Sequence, residues 1–261
     1  MRVSTNLTEW RARRAEVSGR TIGVVPTMGA LHPGHGSLVE RCRRENEIVV
    51  ATLFVNPTQF NDPSDLQKYP RTLEADLELL EALGTDDVFC PDTATLYPNG
   101  YAFRVISDSL ATVMEGRSRP GFFDGVMTVV LKLLNIIQAD RAYFGEKDYQ
   151  QWKVLHAMAA NLFLPTEILA CPTIRTASGL AESSRNALLT AGGRQKAAEI
   201  YRALRFAPTA DVARQQLEAE GFRVDYVEEH WGRRFAAAFL EGVRLIDNVP
   251  LEEPECSSAL M

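Results

Sequence analysis

The stretch PTMGALHPGHGSL (26–38) holds two histidines three residues apart, His32 and His35, among Gly29, Pro33, Gly34 and Gly36. Three uses suit imidazoles in such company. A zinc site needs a third ligand, and the only other histidines, His156 and His230, lie in unrelated patterns. A Gly/Pro-rich turn could carry both rings as incidental polar groups. A phosphate site could use them as hydrogen-bond donors to oxygens that gain charge in a transition state. In that reading Gly34 and Gly36 let backbone come close to the ligand. A helix starting here would add free N–H groups and the positive end of its dipole.

Other segments supply groups of the same kind. FGEKDYQQ (144–151) puts Lys147 just after an expected strand, where an ammonium can meet a polyphosphate. SSRN (183–186) offers two hydroxyls and a guanidinium, at Ser183, Ser184 and Arg185. Taken singly, Lys147 reads equally as a surface ion-pair residue and SSRN as a capped helix start. Together with the histidines they point to a clamp for a polyphosphate. No GxxxxGK[ST] run occurs, so a Walker-type loop is not the device. Gln59 in NPTQF and Gln150 in KDYQQ are uncharged amides with donors and acceptors, suited to a small ligand bearing hydroxyls or a carboxylate. Their plain alternative is a solvated loop glutamine.

The elements that must position these groups alternate in type. TIGVVP (21–26), EIVVATLFV (47–55), DDVFCP (86–91), DRAYF (140–144) and PTEILACP (165–172) read as strands. GSLVERCRREN (36–46), TLEADLELLEAL (72–83), GVMTVVLKLLNIIQ (125–138) and DYQQWKVLHAMAANL (148–162) read as helices. EIVVATLFV is almost continuously apolar, as in a strand buried on both faces. Alternation of this kind predicts an α/β, Rossmann-like parallel sheet with crossover helices. Ligands bind such sheets beyond the carboxyl ends of the strands. Four polar or Gly-rich segments follow expected strands there: TMGALHPGHG, NPTQFNDPSD, GEKDYQQ and TIRTASGLAESSRN. Beyond about Thr190 the pattern changes to two helices, RQKAAEIYRALRFA and ADVARQQLEAEGF, and two strands, RVDYVEE and VRLIDNVPL. The expected organisation is therefore a nucleotide- and acid-binding domain over 1–175 and a smaller α+β domain over 176–261. The tail EEPECSSALM is expected to fray.

Bulk composition narrows the classes. In 261 residues, 46% are hydrophobic and 24% charged, enough apolar material for a sizeable core. A formal net charge of −6 argues against nucleic acid as a partner. Cys42, Cys90, Cys171 and Cys256 form no CxxC pair, which disfavours a zinc ribbon or disulfide framework and fits a reducing cytoplasm. The start, MRVSTNLTEWRARR, lacks an apolar signal core, and the longest apolar run (125–138) is too short and too polar to span a bilayer.

VVPTMGALHPGHGSL, LFVNPTQF, YPRTLEADLELL, GVMTVVLKLLNIIQADRAYFGEKDYQQ and GLAESSRN, in this order, resemble the pantothenate synthetase (pantoate–β-alanine ligase) family, and RLIDN (244–248) resumes the likeness. His32-Pro33-Gly34-His35 matches the HxGH signature of the nucleotidylyltransferase superfamily, and SSRN stands where related synthetases carry a KMSKS-like loop. The resemblance implies a ligase that joins pantoate to β-alanine through a pantoyl adenylate, consuming ATP and releasing pyrophosphate and AMP. It implies ATP with Mg²⁺, no organic prosthetic group, a homodimer, and a C-terminal domain that acts as a lid.

By the same analogy His32, His35, Lys147 and Arg185 are the catalytic groups. Met28, Gly34, Gly145, Lys147, Asp148, Ser183, Ser184 and Arg185 contact ATP, Met28 as an apolar wall and Asp148 at a ribose hydroxyl. Gln59 and Gln150 hold pantoate, and Asp76 is a loosely held Mg²⁺ partner. The chain departs from the family pattern at Phe122 (usually His), Ser178 (usually Asp) and Glu182 (usually apolar), and between VDYVEEHW and RLIDN it is shorter. These departures motivate two alternatives, a diverged paralogue joining a different acid or amine and an inactive nucleotide-binding protein.

Overall fold

The computed structural model describes residues 1–61 and 63–251, with backbone alone at 63–65. The tail EEPECSSALM, with Cys256, and Asp62 of the NPTQFNDPSD segment lie outside the described residues. The chain divides into two compact units, Met1–Ile174 and Arg175–Met261.

In the first unit the order is β1 (Arg2–Ser4), α1 (Leu7–Glu16), β2 (Ile22–Thr27), α2 (Pro33–Glu45), β3 (Ile48–Leu53), α3 (Pro63–Lys68), α4 (Leu73–Ala82) and β4 (Asp87–Phe89). It continues with α5 (Thr93–Leu96), α6 (Glu115–Ser118), α7 (Phe122–Ile137), β5 (Arg141–Gly145), α8 (Tyr149–Asn161) and β6 (Glu167–Cys171). The strands make one six-stranded sheet in the order β1-β4-β3-β2-β5-β6. Every pairing in it is parallel, as the strand–helix alternation predicted. β3 is buried at all its residues, as its unbroken apolar run requires.

From β2 the chain builds outward through β3 and β4, then returns to the other side of β2 for β5 and β6. The order therefore reverses between β2 and β5, where Gly23 pairs Arg141 and Val24 pairs Ala142. The loops leaving the carboxyl ends of these two strands diverge and open a crevice, the usual ligand position in an open α/β sheet.

Helix α7 lies within the largest core cluster and buries Phe122, Phe123, Val126, Met127, Val130, Leu133, Leu134 and Ile137. It starts three residues before the expected helix, at Phe122, after Gly121 in the left-handed region at φ +79°. Among the described residues no helix is long and apolar enough to cross a membrane. The strand β1 and helix α1 are additions to the sequence reading. MRVSTNLTEWRARR looks merely polar, yet Trp10 is wholly buried and its indole N–H donates to the Ile136 carbonyl (2.7 Å).

The second unit holds α9 (Ala191–Ala197), α10 (Glu199–Phe206), α11 (Ala210–Ala219) and an antiparallel sheet β7 (Arg223–His230), β8 (Arg233–Leu240), β9 (Val243–Pro250). The stretch read as one helix, RQKAAEIYRALRFA, is two, divided at Ala198. The central strand β8, RRFAAAFL, was not read as one because its three alanines favour helix. Its two hairpins carry the missing signal. Trp231-Gly232 and Glu241-Gly242 are two-residue turns with positive φ at both positions, the geometry that follows strand twist.

Candidate active site

The loop after β2 is bent and braced. Gly29 takes φ +81° and Ala30 φ +51°. Both following N–H groups, of Ala30 and Leu31, donate to the two carboxylate oxygens of Asp76 at 2.9 and 2.8 Å. Asp76 is buried in the first turn of α4, and Thr72 Oγ1 lies 3.2 Å from the same Oδ2. A side-chain carbon at Gly29 would fall 2.9 Å from that oxygen, so the bend needs glycine for conformation and for space. Asp76 is thus engaged as the anchor of this turn, and a metal ion there would have to share both oxygens. Among the described residues no group of three His, Cys, Asp or Glu could hold a metal ion.

The loop leads into α2, which begins at Pro33 and so includes the HPGH run itself. His32 is the N-cap: its Nδ1 accepts from the Gly34 N–H at 3.2 Å. That bond fixes the neutral tautomer with the proton on Nε2, leaving Nε2–H as the outward donor. The N–H groups of His35 and Gly36 both donate to the His32 carbonyl (2.8 and 3.1 Å), and Pro33 has none. The expected free backbone donors are therefore already used. What the helix start offers is its dipole and the imidazoles.

The two rings lie 4.1 Å apart between centroids. Burial, then the charge of Lys147, lowers His32 to about 4, with Asp148 opposing. Burial, then His32 and Lys147, lowers His35 to about 3. Both rings are neutral donors at neutral pH, and His35 Nδ1 is buried without a hydrogen-bond partner.

Lys147 and Asp148 lie in a short 3-10 turn, Glu146–Asp148, immediately after β5 and across the switch point from the histidines. The pull of Lys147 on both rings shows that its charge lies within reach of them. Its Nζ is 3.9 Å from Asp148 Oδ2, and the Asp148 side chain is about half exposed. Gly145 ends β5, and a carbon added there would meet no atom within 4 Å.

The loop after β3 carries Gln59 in a 3-10 turn, Pro57–Gln59. Asn56, itself buried, orients it: Asn56 Nδ2 donates to Gln59 Oε1 at 3.0 Å, while Tyr97 Oη donates to Asn56 Oδ1 at 2.8 Å. With its oxygen taken, Gln59 turns its Nε2 toward Met28, whose sulfur lies 3.1 Å away. That sulfur is a weak acceptor, so the amide N–H is available to a stronger one. Gly125 of α7 permits the close approach of this turn, since a side chain there would meet the Thr58 carbonyl at 2.5 Å.

Gln150, expected at pantoate, has its side-chain amide engaged by main chain. It is buried, its Nε2 donates to the carbonyls of Leu110 (2.9 Å) and Val113 (2.8 Å), and its Oε1 accepts from Glu115 N–H (3.1 Å). Both amide protons are spent on main chain, so it has none to give a carboxylate. The next residue, Gln151, is half-buried in α8, and among the described residues no side-chain hydrogen bond engages its amide. The two glutamines are adjacent in sequence, and only the helix phase separates an inward from an outward position.

In the second unit, Ser183 caps a 3-10 turn, Ser184–Leu188, its Oγ accepting from Arg185 N–H at 3.3 Å. Ser184 and Arg185 are half-buried, and Asn186 anchors the turn by donating to the Ala181 carbonyl (3.0 Å). The departures from the family pattern have local partners. Phe122 is buried with the Arg119 guanidinium 3.8 Å above its ring, and Ser178 Oγ lies 2.9 Å from Thr176 Oγ1. Among the described residues no cysteine is poised as a nucleophile: burial raises Cys42 to about 12, and raises Cys90 and Cys171 as well.

Comparison with known proteins matches residues 2–250 to the family model described as pantoate-beta-alanine ligase. The chain belongs to this ligase family. A pantothenate synthetase of Bdellovibrio bacteriovorus is 48% identical over 243 residues, covering 93% of this chain and 96% of that protein. One from Legionella pneumophila is 47% identical over 249 residues, covering 95% and 99%. The solved pantoate-beta-alanine ligase of Francisella tularensis, complexed with beta-gamma ATP and β-alanine, superposes with a TM-score of 0.91 at 40% identity, covering 97% of this chain and 98% of that one. The Legionella ligase is nearly all contained in the 249-residue alignment, so a ligase of this compact length is not peculiar to the present chain.

Proposed function

We propose that this protein condenses pantoate with β-alanine to give pantothenate, consuming ATP by way of pantoyl adenylate. The observation that carries the reading is the pairing of a neutral, braced His32–His35 couple at the end of β2 with Lys147 at the end of β5, across the sheet's switch point. In the first step a pantoate carboxylate oxygen bonds to the α-phosphorus of ATP, and the bond to the bridging oxygen breaks to release pyrophosphate. In the second the β-alanine nitrogen, having lost a proton, attacks the acyl carbon, and AMP leaves with the electron pair.

The residues act by positioning and charge. His32 Nε2–H and the His35 ring donate to phosphate oxygens that gain charge as the phosphorus is attacked. Lys147 balances the polyphosphate, Asp148 takes a ribose hydroxyl, and Gly145 and Gly34 leave room for the nucleotide. Ser183, Ser184 and Arg185 bind the leaving pyrophosphate, two hydroxyls and a guanidinium suited to its oxygens. Gln59 Nε2–H, held by Asn56, and the unspent amide of Gln151 take pantoate oxygens, with Met28 as the apolar wall. Mg²⁺ would accompany ATP and add positive charge at its phosphates; among the described residues the chain supplies it no dedicated cage. We place the enzyme in a reducing cytoplasm, in keeping with free Cys42, Cys90 and Cys171, and as a homodimer, which light scattering can test.

The deciding experiment gives purified protein ATP, Mg²⁺, pantoate and β-alanine, and follows AMP and pantothenate together. Equimolar appearance of both is expected. Pyrophosphate exchange with pantoate but no pantothenate would replace β-alanine with another amine, and no exchange with pantoate would overturn the reading.

A further inference from the structure

The amide of Gln150 brackets a strained residue. Met114 has φ +43° and ψ −112° and is wholly buried. A non-glycine residue held there costs on the order of 1–3 kcal/mol and persists only where its surroundings enforce it. Gln150 bonds the carbonyl just before Met114 (Val113) and the N–H just after it (Glu115), and adds the Leu110 carbonyl. Two acceptors and one donor of main chain thus meet the one neutral side-chain type able to satisfy them all.

What this turn delivers is Arg119. Helix α6 starts at Glu115, and Arg119 closes it, its N–H donating to the Glu115 carbonyl at 2.8 Å. The Arg119 guanidinium lies 3.7 Å from the Glu115 carboxylate, stacks on Phe122, and donates through Nη2 to the main-chain carbonyl of Gln59 at 3.0 Å. A continuous chain of contacts therefore runs from Gln150 through the Met114 turn and Arg119 to the backbone of Gln59.

We propose that Gln150 is a positioning residue for the acid substrate, acting through the Met114 turn and Arg119 on Gln59 and contacting no substrate itself. This rests on the proposed function for the identity of the acid. Two Gln150 variants separate positioning from plain stability. Gln150→Leu removes all three bonds; Gln150→Glu keeps an acceptor for Glu115 N–H and loses both donors.

In pantoate-dependent ATP–pyrophosphate exchange, Gln150→Leu is expected to raise KM for pantoate about tenfold, the equivalent of one lost hydrogen bond. KM for ATP should stay within about twofold, and Gln150→Glu, which sets a carboxylate against the Leu110 and Val113 carbonyls, should raise KM for pantoate at least as far. Gln59→Ala is the second arm: added to it, Gln150→Leu should cost little more, because both act at one place. A lowered kcat with unchanged KM for pantoate, or fully additive losses, would overturn the proposal.

Hydrogen exchange supplies a readout that needs no substrate. Gln150→Leu, or Gln150→Glu if the first does not fold, should speed exchange at 113–119 and also at 58–60. Acceleration confined to 113–119 would overturn the link to Gln59. Wild-type protein inert toward pantoate would sink the substrate assignment alone, and the exchange pattern would still decide the role of Gln150.

Discussion

Two bends in the first unit solve the same problem with different chemistry. At 28–31, Gly29 and Ala30 take positive φ and present two N–H groups inward; at 110–115, Met114 does so and the turn presents two carbonyls and one N–H. The first is braced by a carboxylate, Asp76, which only accepts. The second is braced by an amide, Gln150, which donates twice and accepts once. Each brace comes from the start of a helix far away in sequence, and each carries a functional group at the next step: the histidines beyond the first, Arg119 and Gln59 beyond the second. Side-chain type follows the donor and acceptor count of the bend. A buried polar residue near a site is therefore first a candidate brace and only then a ligand.

The comparison implies that damage at the first bend reaches ATP chemistry and damage at the second reaches the acid. The largest effect belongs to the cargo of the first bend. His35→Ala is expected to cut ATP–pyrophosphate exchange by at least about a hundredfold, by analogy with loss of a transition-state donor, while circular dichroism and thermal midpoint stay near wild type. Exchange within a few-fold of wild type would remove His35 from the reaction.

Asp76→Asn comes next. Asparagine has one acceptor oxygen where the bend needs two, and its NH₂ would face a backbone N–H. Leaving one N–H unmet costs roughly 1–3 kcal/mol, and misplacing the His loop should lower kcat for exchange about 10- to 100-fold. KM for pantoate should hardly move, in contrast to Gln150→Leu. If both variants raise KM for pantoate equally, the division of labour between the bends is wrong. A kcat restored by excess Mg²⁺ would instead return Asp76 to the metal.

Much of this was open to reading from the sequence, and the failures share a cause. The parallel sheet followed from period and alternation, because apolar runs such as EIVVATLFV admit few other homes. The ligase family followed from the HPGH, NPTQF, GEKDYQQ and SSRN segments. Asp76 and Gln150 read as ligands from the sequence because a brace and a ligand contact use the same residue types, and only the geometry shows where the lone pairs and protons go. Strand β8 was lost to its alanines, although the Trp231-Gly232 and Glu241-Gly242 turns mark both its ends. The start of α2 was placed three residues late because histidine is not an ordinary N-cap, yet His32 Nδ1 takes that part.

The smallest effect sharpens the first bend alone. Burial chiefly holds His32 near 4 and His35 near 3, against 6.5 for a free imidazole, so the folded enzyme binds fewer protons than the unfolded chain as pH falls below neutrality. The stability that the neutral pair contributes is complete above about pH 6.5 and is lost progressively toward pH 4 and 3. Urea midpoints between pH 7 and 4 should therefore fall less steeply in His35→Ala than in wild type. In ¹H–¹⁵N spectra the rings of the free protein should stay neutral to pH 5, and ATP should raise both titrations because its phosphates favour the charged form. Rings already protonated at pH 6 without nucleotide would mean the bend exposes the pair to water, and the brace at Asp76 would then be guarding something other than a pair of neutral donors.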